Sequence, residues 1–154
     1  MNIQLKNVKV CNWASQETTC FDATIYADGK KIGTASNQGT GGSNNYHIPD
    51  ADMRKAFHAH CKSLPPVPWG DEEWAKDLAP MESDADIVIG DLLAKYEETK
   101  QFKRWCKTQT CFRLKGDDLG SYRTVKAKYD PRVKAFIAKK YGDKVEEILN
   151  ERFI

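Results

Sequence analysis

Thr18-Thr19-Cys20-Phe21-Asp22-Ala23-Thr24-Ile25-Tyr26-Ala27-Asp28-Gly29-Lys30-Lys31-Ile32-Gly33-Thr34-Ala35-Ser36 is the stretch on which the fold turns. The run from Thr18 to Ala27 carries the β-branched and aromatic residues that suit a pleated surface, although its apolar positions do not alternate cleanly throughout. Asp28-Gly29 follows. Both residue types tolerate the positive φ that a two-residue hairpin turn demands, so Lys31 to Ser36 is predicted to return antiparallel to the first run. Upstream, Ile3, Leu5, Val8 and Val10 mark an earlier strand with a bulge or bend near Lys6-Asn7.

Downstream, Asn37 to Asn45 is too rich in Gly and Asn to continue a strand. Pro49-Asp50 then opens a predicted helix from Ala51 to Ser63, with Met53, Ala56, Phe57 and Cys61 as its apolar stripe. The prolines of Leu64-Pro65-Pro66-Val67-Pro68-Trp69-Gly70 enforce an extended connection. Ser83-Asp84-Ala85-Asp86 has the form of a helix start, with Ser83 as the cap, leading into a long helix from Ile87 to Lys107 that Gly90 could kink. Thr110 to Leu114 and Tyr122 to Lys128 flank Gly116-Asp117-Asp118-Leu119-Gly120 as a second hairpin. Asp130-Pro131 starts another helix as N-cap and N1, Gly142 interrupts or ends it, and Val145, Ile148, Leu149 and Phe153 suggest a final amphipathic turn or helix. The predicted architecture is a single α+β domain over residues 1–154: an antiparallel sheet, made of the N-terminal strands plus the later hairpin, packed against two or three helices.

Composition agrees. The 154 residues are 40% hydrophobic and 30% charged, with 4 Trp, 6 Tyr and 6 Phe, enough for a packed core. No window is apolar enough for a membrane span, and Met-Asn-Ile-Gln-Leu-Lys lacks the apolar region of an export signal, so a cytoplasmic protein with no membrane partner is expected. Five cysteines without such a signal read as reduced thiols, with Cys11, Cys20 and Cys111 as small core residues. A zinc site would have to be assembled from His47, His58, His60, Cys61, Cys106 and Cys111, yet no paired short spacing is present and no metal is expected.

The net charge of +2 hides a segregation. Asp71 to Glu98 holds ten acidic residues against Lys76 and Lys95, whereas Thr99 to Lys144 holds fourteen Lys or Arg against Asp117, Asp118, Asp130 and Asp143. A basic block interleaved with Trp105, Phe112, Tyr122 and Tyr129 suits phosphates and stacked bases; the plainer alternative is a solvated face paired with the acidic block. Gly39, Thr40, Gly41, Gly42, Ser43, Asn44 and Asn45 could converge backbone N–H groups into a concave anion nest, or form a mobile connection. The stretch matches neither the phosphate loop nor the dinucleotide fingerprint. His47, next in line, has the chemistry of a general base but no partner legible in sequence.

Ser15-x-Glu17-Thr18-x-Cys20-Phe21-x-Ala23, Tyr26-x-Asp28-Gly29-Lys30 and Ser36-Asn37-x-Gly39-x-Gly41-Gly42-x-Asn44-x-Tyr46-His47, with Asp86-Ile87-Val88-Ile89-Gly90-Asp91-Leu92, together resemble small proteins encoded by tailed phages and prophages, a group with no assigned function. The resemblance implies an accessory protein working in the cytoplasm of an infected bacterium, among binders that blunt host defence. The resulting expectation is a binding protein acting by occupancy, without cofactor or catalysis. Gly39 to Asn45 and His47 would join Arg123, Lys126 and Lys128 in gripping a nucleotide or nucleic-acid backbone. One alternative is an inhibitor of a host nuclease or defence protein, presenting Trp69, Trp74 and the acidic block. Another is a small enzyme using His47 or a cysteine. An oligomer is compatible with all three.

Overall fold

A computed structural model describes every residue from Met1 to Ile154. The fold is α+β, and both of its sheets are antiparallel. The sequence places one domain over residues 1–154; the chain groups into two compact units, Met1–Ala94 and Lys95–Ile154, each with its own sheet and core. The later hairpin therefore belongs to a second sheet rather than to the N-terminal one.

In the first unit, strands β1 (Ile3–Val10), β2 (Phe21–Ala27), β3 (Lys30–Asn37) and β4 (Asn45–His47) lie side by side in chain order. Asp28 and Gly29 have φ of 50° and 83°, the two positive values that a tight hairpin turn requires. The pairing with β3 shifts by one residue between Ile25 and Tyr26, and Phe21, Ala23, Ile25 and Ala27 all fall on the buried face. The alternation is strict once the strand starts at Phe21 rather than Thr18. The predicted irregularity in β1 is a register shift between Lys6 and Lys9, with Asn7 at φ 53°. The three-residue β4 was not predictable from propensity, and Gly33 makes room for it: a Cβ there would lie 2.2 Å from the His47 carbonyl oxygen.

Helix α1 (Ala51–Ser63) is capped by Asp50, whose carboxylate accepts from the Met53 amide at 2.9 Å. It buries Phe57 and Cys61, while Ala56 faces solvent. A short helix α2 (Glu73–Lys76) follows, and then α3 (Ala85–Cys106), which runs without interruption through Gly90 and contains the boundary between the units. Asp84, not Ser83, caps α3: its side chain accepts from the Ile87 amide at 2.9 Å, and Ser83 is buried. Ala85, Ile89 and Leu93, spaced by four, complete the core with Phe57, Ile25 and Phe21.

In the second unit, β5 (Thr110–Leu114) lies between β6 (Arg123–Val125) and β7 (Val145–Ile148). β5 is covered on both faces, Cys111 packing with Phe102 and Leu149, Phe112 and Leu114 with Ile137. Helix α4 (Pro131–Tyr141) has the expected Asp130 cap at 3.0 Å and ends at Gly142, φ 58°. Gly142–Lys144 makes a 3-10 turn, Val145 to Ile148 then pairs as a strand with β5, Phe112 opposite Ile148, and Leu149–Phe153 turns as a 3-10 helix. Asn150 ties this turn to the sheet, accepting from the Cys111 amide at 2.8 Å and donating to the Gln109 carbonyl at 3.0 Å. No helix is long and apolar enough to cross a membrane.

Because Asn150 is buried, Asn150→Leu should leave the Cys111 amide and the Gln109 carbonyl without partners and cost about 2 kcal/mol. Urea unfolding measures the loss, and faster amide exchange at Cys111 locates it.

Candidate functional site

The loop that joins β3 to β4 is organised from within. Asn37, only 6% exposed, turns its side-chain oxygen onto the Gly39 amide at 2.8 Å and the Thr18 hydroxyl at 2.7 Å. Its amide nitrogen donates to the Asn44 side-chain oxygen at 3.0 Å and the Gly42 carbonyl at 3.3 Å. Thr18 in turn accepts from the Gly41 amide at 3.3 Å. The Gly39 carbonyl receives the Gln16 and Glu17 amides at 2.9 and 3.0 Å. Gly39 is at φ 87°, and a Cβ on it would stand 2.1 Å from the Ala14 carbonyl oxygen, so the close approach of the two segments requires glycine.

Two amides of the expected nest, Gly39 and Gly41, are thus spent inside the protein. A Cβ on Gly41 would meet the Glu17 carboxylate at 2.7 Å, which puts a negative group beside the position an anion would need. Asn44 continues the network by donating to the Tyr46 hydroxyl at 3.1 Å, and that hydroxyl donates to Asp86 on α3 at 2.7 Å. Burial first, and then the bond to Asp86, push the Tyr46 hydroxyl well above its usual range. His47 is exposed at the end of the sheet, and the ring beside Tyr46 is that of His58, edge-on at 5.5 Å. Thr40, Ser43 and Asn45 are exposed loop or edge positions.

Arg123, Lys126 and Lys128 belong to the other unit. Arg123 is held by Asp117 through two hydrogen bonds of 3.0 and 3.2 Å, which keep the Asp117 carboxyl below its usual range. Lys126 and Lys128 are exposed on and after the turn that follows β6. The rings expected to stack on bases serve elsewhere: Phe112 is core, Trp105 and Tyr122 pack against Phe102, and Tyr129 donates to Glu151. Burial and that bond push the Tyr129 hydroxyl up to about 12. No group of three His, Cys, Asp or Glu side chains converges as a metal site.

A different surface emerges on the segment between α1 and α3. The Val67 and Met81 backbones exchange two hydrogen bonds of 2.8 Å and close the ends of a strap. The Trp69 indole donates to the Ala79 carbonyl at 2.9 Å, Trp74 donates to Glu72, and buried Ala75 anchors the middle. Trp69, Trp74 and Leu78 nonetheless remain 51%, 62% and 47% exposed, among Asp71, Glu72, Glu73 and Asp77. The prolines and tryptophans were legible in sequence; the closing bridge and Leu78 were not. No family model, curated protein or solved structure matches the chain.

Asn37→Ala should strand the Gly39 amide, the Thr18 hydroxyl and the Asn44 side chain together, costing about 2–3 kcal/mol. Denaturant unfolding measures it, and amide exchange at Gly39 and Gly41 should accelerate most.

Proposed function

We propose that the protein acts by occupancy, docking the strap Val67–Met81 onto a basic protein surface, and that its partner is a bacterial defence protein of the kind the phage resemblance implies. The observation that carries this reading is the exposure of Trp69, Trp74 and Leu78 on a segment whose ends are hydrogen-bonded together. Covering one half-exposed tryptophan removes roughly 100 Å² of apolar surface from water, about 2–3 kcal/mol, which is the scale of a binding hot spot. A strap already closed loses little conformational freedom on docking. The acidic residues around the rings supply steering and select a cationic partner.

A second reading keeps the polyanion but moves it. Residues 95–154 carry 16 Lys or Arg and 9 Asp or Glu, net +7, whereas residues 1–94 carry 8 and 13, net −5; together these give the +2 of the whole chain. Phe136 is 52% exposed on α4 with the Lys140 ammonium 5.9 Å from its ring, an aromatic and cation pair suited to a nucleic-acid strand. The loop from Gly39 to His47 plays no part in this reading.

One experiment separates the two. A partner captured from nuclease-treated bacterial lysate should be retained by the wild type and by Lys126→Glu/Lys128→Glu, and bound at least tenfold more weakly by Trp69→Ala/Trp74→Ala, about 1.4 kcal/mol or more. Binding that disappears on nuclease treatment and survives loss of the tryptophans would reverse the assignment in favour of the polyanion.

A further inference from the structure

Cys11 and Cys20 leave and enter the sheet directly opposite one another, one residue beyond the paired Val10 and Phe21. The Cys11 amide donates to the Cys20 carbonyl at 2.9 Å. On the other side the Ser15 hydroxyl bridges the two residues, accepting from the Cys20 amide at 2.9 Å and donating to the Cys11 carbonyl at 2.8 Å. These bonds thus align the pair independently of any bond between sulfurs. Facing residues of an antiparallel pair stand roughly 4.5–5.5 Å apart at Cα, inside the roughly 4.4–6.8 Å that a disulfide spans. Both cysteines are half-buried, so a small oxidant reaches them.

We propose that Cys11 and Cys20 form a redox site: a dithiol that a hydroperoxide converts to an intramolecular disulfide, closing the segment that carries Trp13. A cysteine sulfur attacks the terminal peroxide oxygen, the O–O bond breaks, and the departing oxygen leaves as an alcohol, or as water when the oxidant is hydrogen peroxide, with a sulfenic acid on the attacking cysteine. The second sulfur then attacks the sulfenic sulfur, the S–S bond forms as the S–O bond breaks, and a water leaves with the remaining thiol proton. Two thiols lose two electrons and the peroxide gains them. Burial, then the neighbouring Cys11 and Asp22, push the Cys20 thiol up, which makes Cys20 the resolving partner and Cys11 the first to react.

The remaining cysteines provide the comparison. Cys106 and Cys111 pack in one cluster, but Cys111 is fully buried against Phe102 and Leu149, and Asn150 holds its amide. Cys61 is buried alone on α1.

The test is treatment of the full-length protein with hydrogen peroxide under native conditions, alkylation of the remaining thiols, and peptide mass spectrometry. The expected product links Cys11 to Cys20 with the loss of two hydrogen atoms, consumes two of the five free thiols, and reverts with dithiothreitol. Cys20→Ser should give no link and instead accumulate a Cys11 sulfenic acid that dimedone traps. Retention of all five thiols, a link between two chains, sulfinic acid on either residue without a link, or a first link at Cys106 and Cys111 would each overturn the proposal.

Discussion

The row Phe21, Ala23, Ile25 and Ala27 can face the core in one register only. Side chains on a strand alternate between faces, so a slip of one residue relative to β1 or β3 would turn the whole row to water. The Asp28-Gly29 turn and the one-residue shift that follows it between Ile25 and Tyr26 together set that register, and Phe57 of α1 and Ile89 of α3 then have a surface to close against. β4 depends on the same register, because it carries Gly33 to the point where the His47 carbonyl needs the space of a missing side chain. The position of the loop between β3 and β4 follows in turn.

Within that loop, chemistry that suggests a binding site in sequence performs a structural task. Glycine and asparagine are what an anion nest needs, and they are equally what a tight loop needs to satisfy its own backbone. The balance is decided by Asn37, whose side chain reaches Gly39, Thr18, Asn44 and the Gly42 carbonyl at once. A buried amide with four partners gains more from those bonds than it could from an exposed and mobile ligand. With the Glu17 carboxylate beside Gly41, the electrostatics agree with the hydrogen bonding. On the strap, by contrast, indoles stand in solvent although their N–H groups are already bonded within the strap.

What was legible in the sequence was whatever local chemistry settles by itself. The hairpin turn, the Asp50 and Asp130 caps, Pro131 at N1 and the stop at Gly142 all follow from dihedral preferences and end-of-helix donors. What was not legible depends on partners distant in the chain. Val145 to Ile148 reads as an amphipathic turn or helix until β5 offers its open side, and Asn45 to His47 becomes a strand by pairing with Thr34 to Ser36, with Gly33 leaving room for the His47 carbonyl. Ser83 and Asp84 are both good caps, and the choice fell to Asp84 while Ser83 was drawn into the interior. The candidate site was the least legible part, since its residues were chosen by type, and type cannot reveal that Asn37 and Thr18 would accept from the Gly39 and Gly41 amides.

The irregularity in β1 bears on how copies of this chain behave toward one another. β1 is the outermost strand of its sheet, with one row of backbone donors and acceptors turned away from β2. An unbroken, flat strand in that place would template the addition of another strand from a neighbouring molecule. Asn7 at φ 53° breaks the repeat midway, and Lys6 and Lys9 flank the break with positive charge. The outer rim therefore lacks the even spacing that fibrillar stacking requires, and crowding at high expression should not by itself convert this edge into a seam of association.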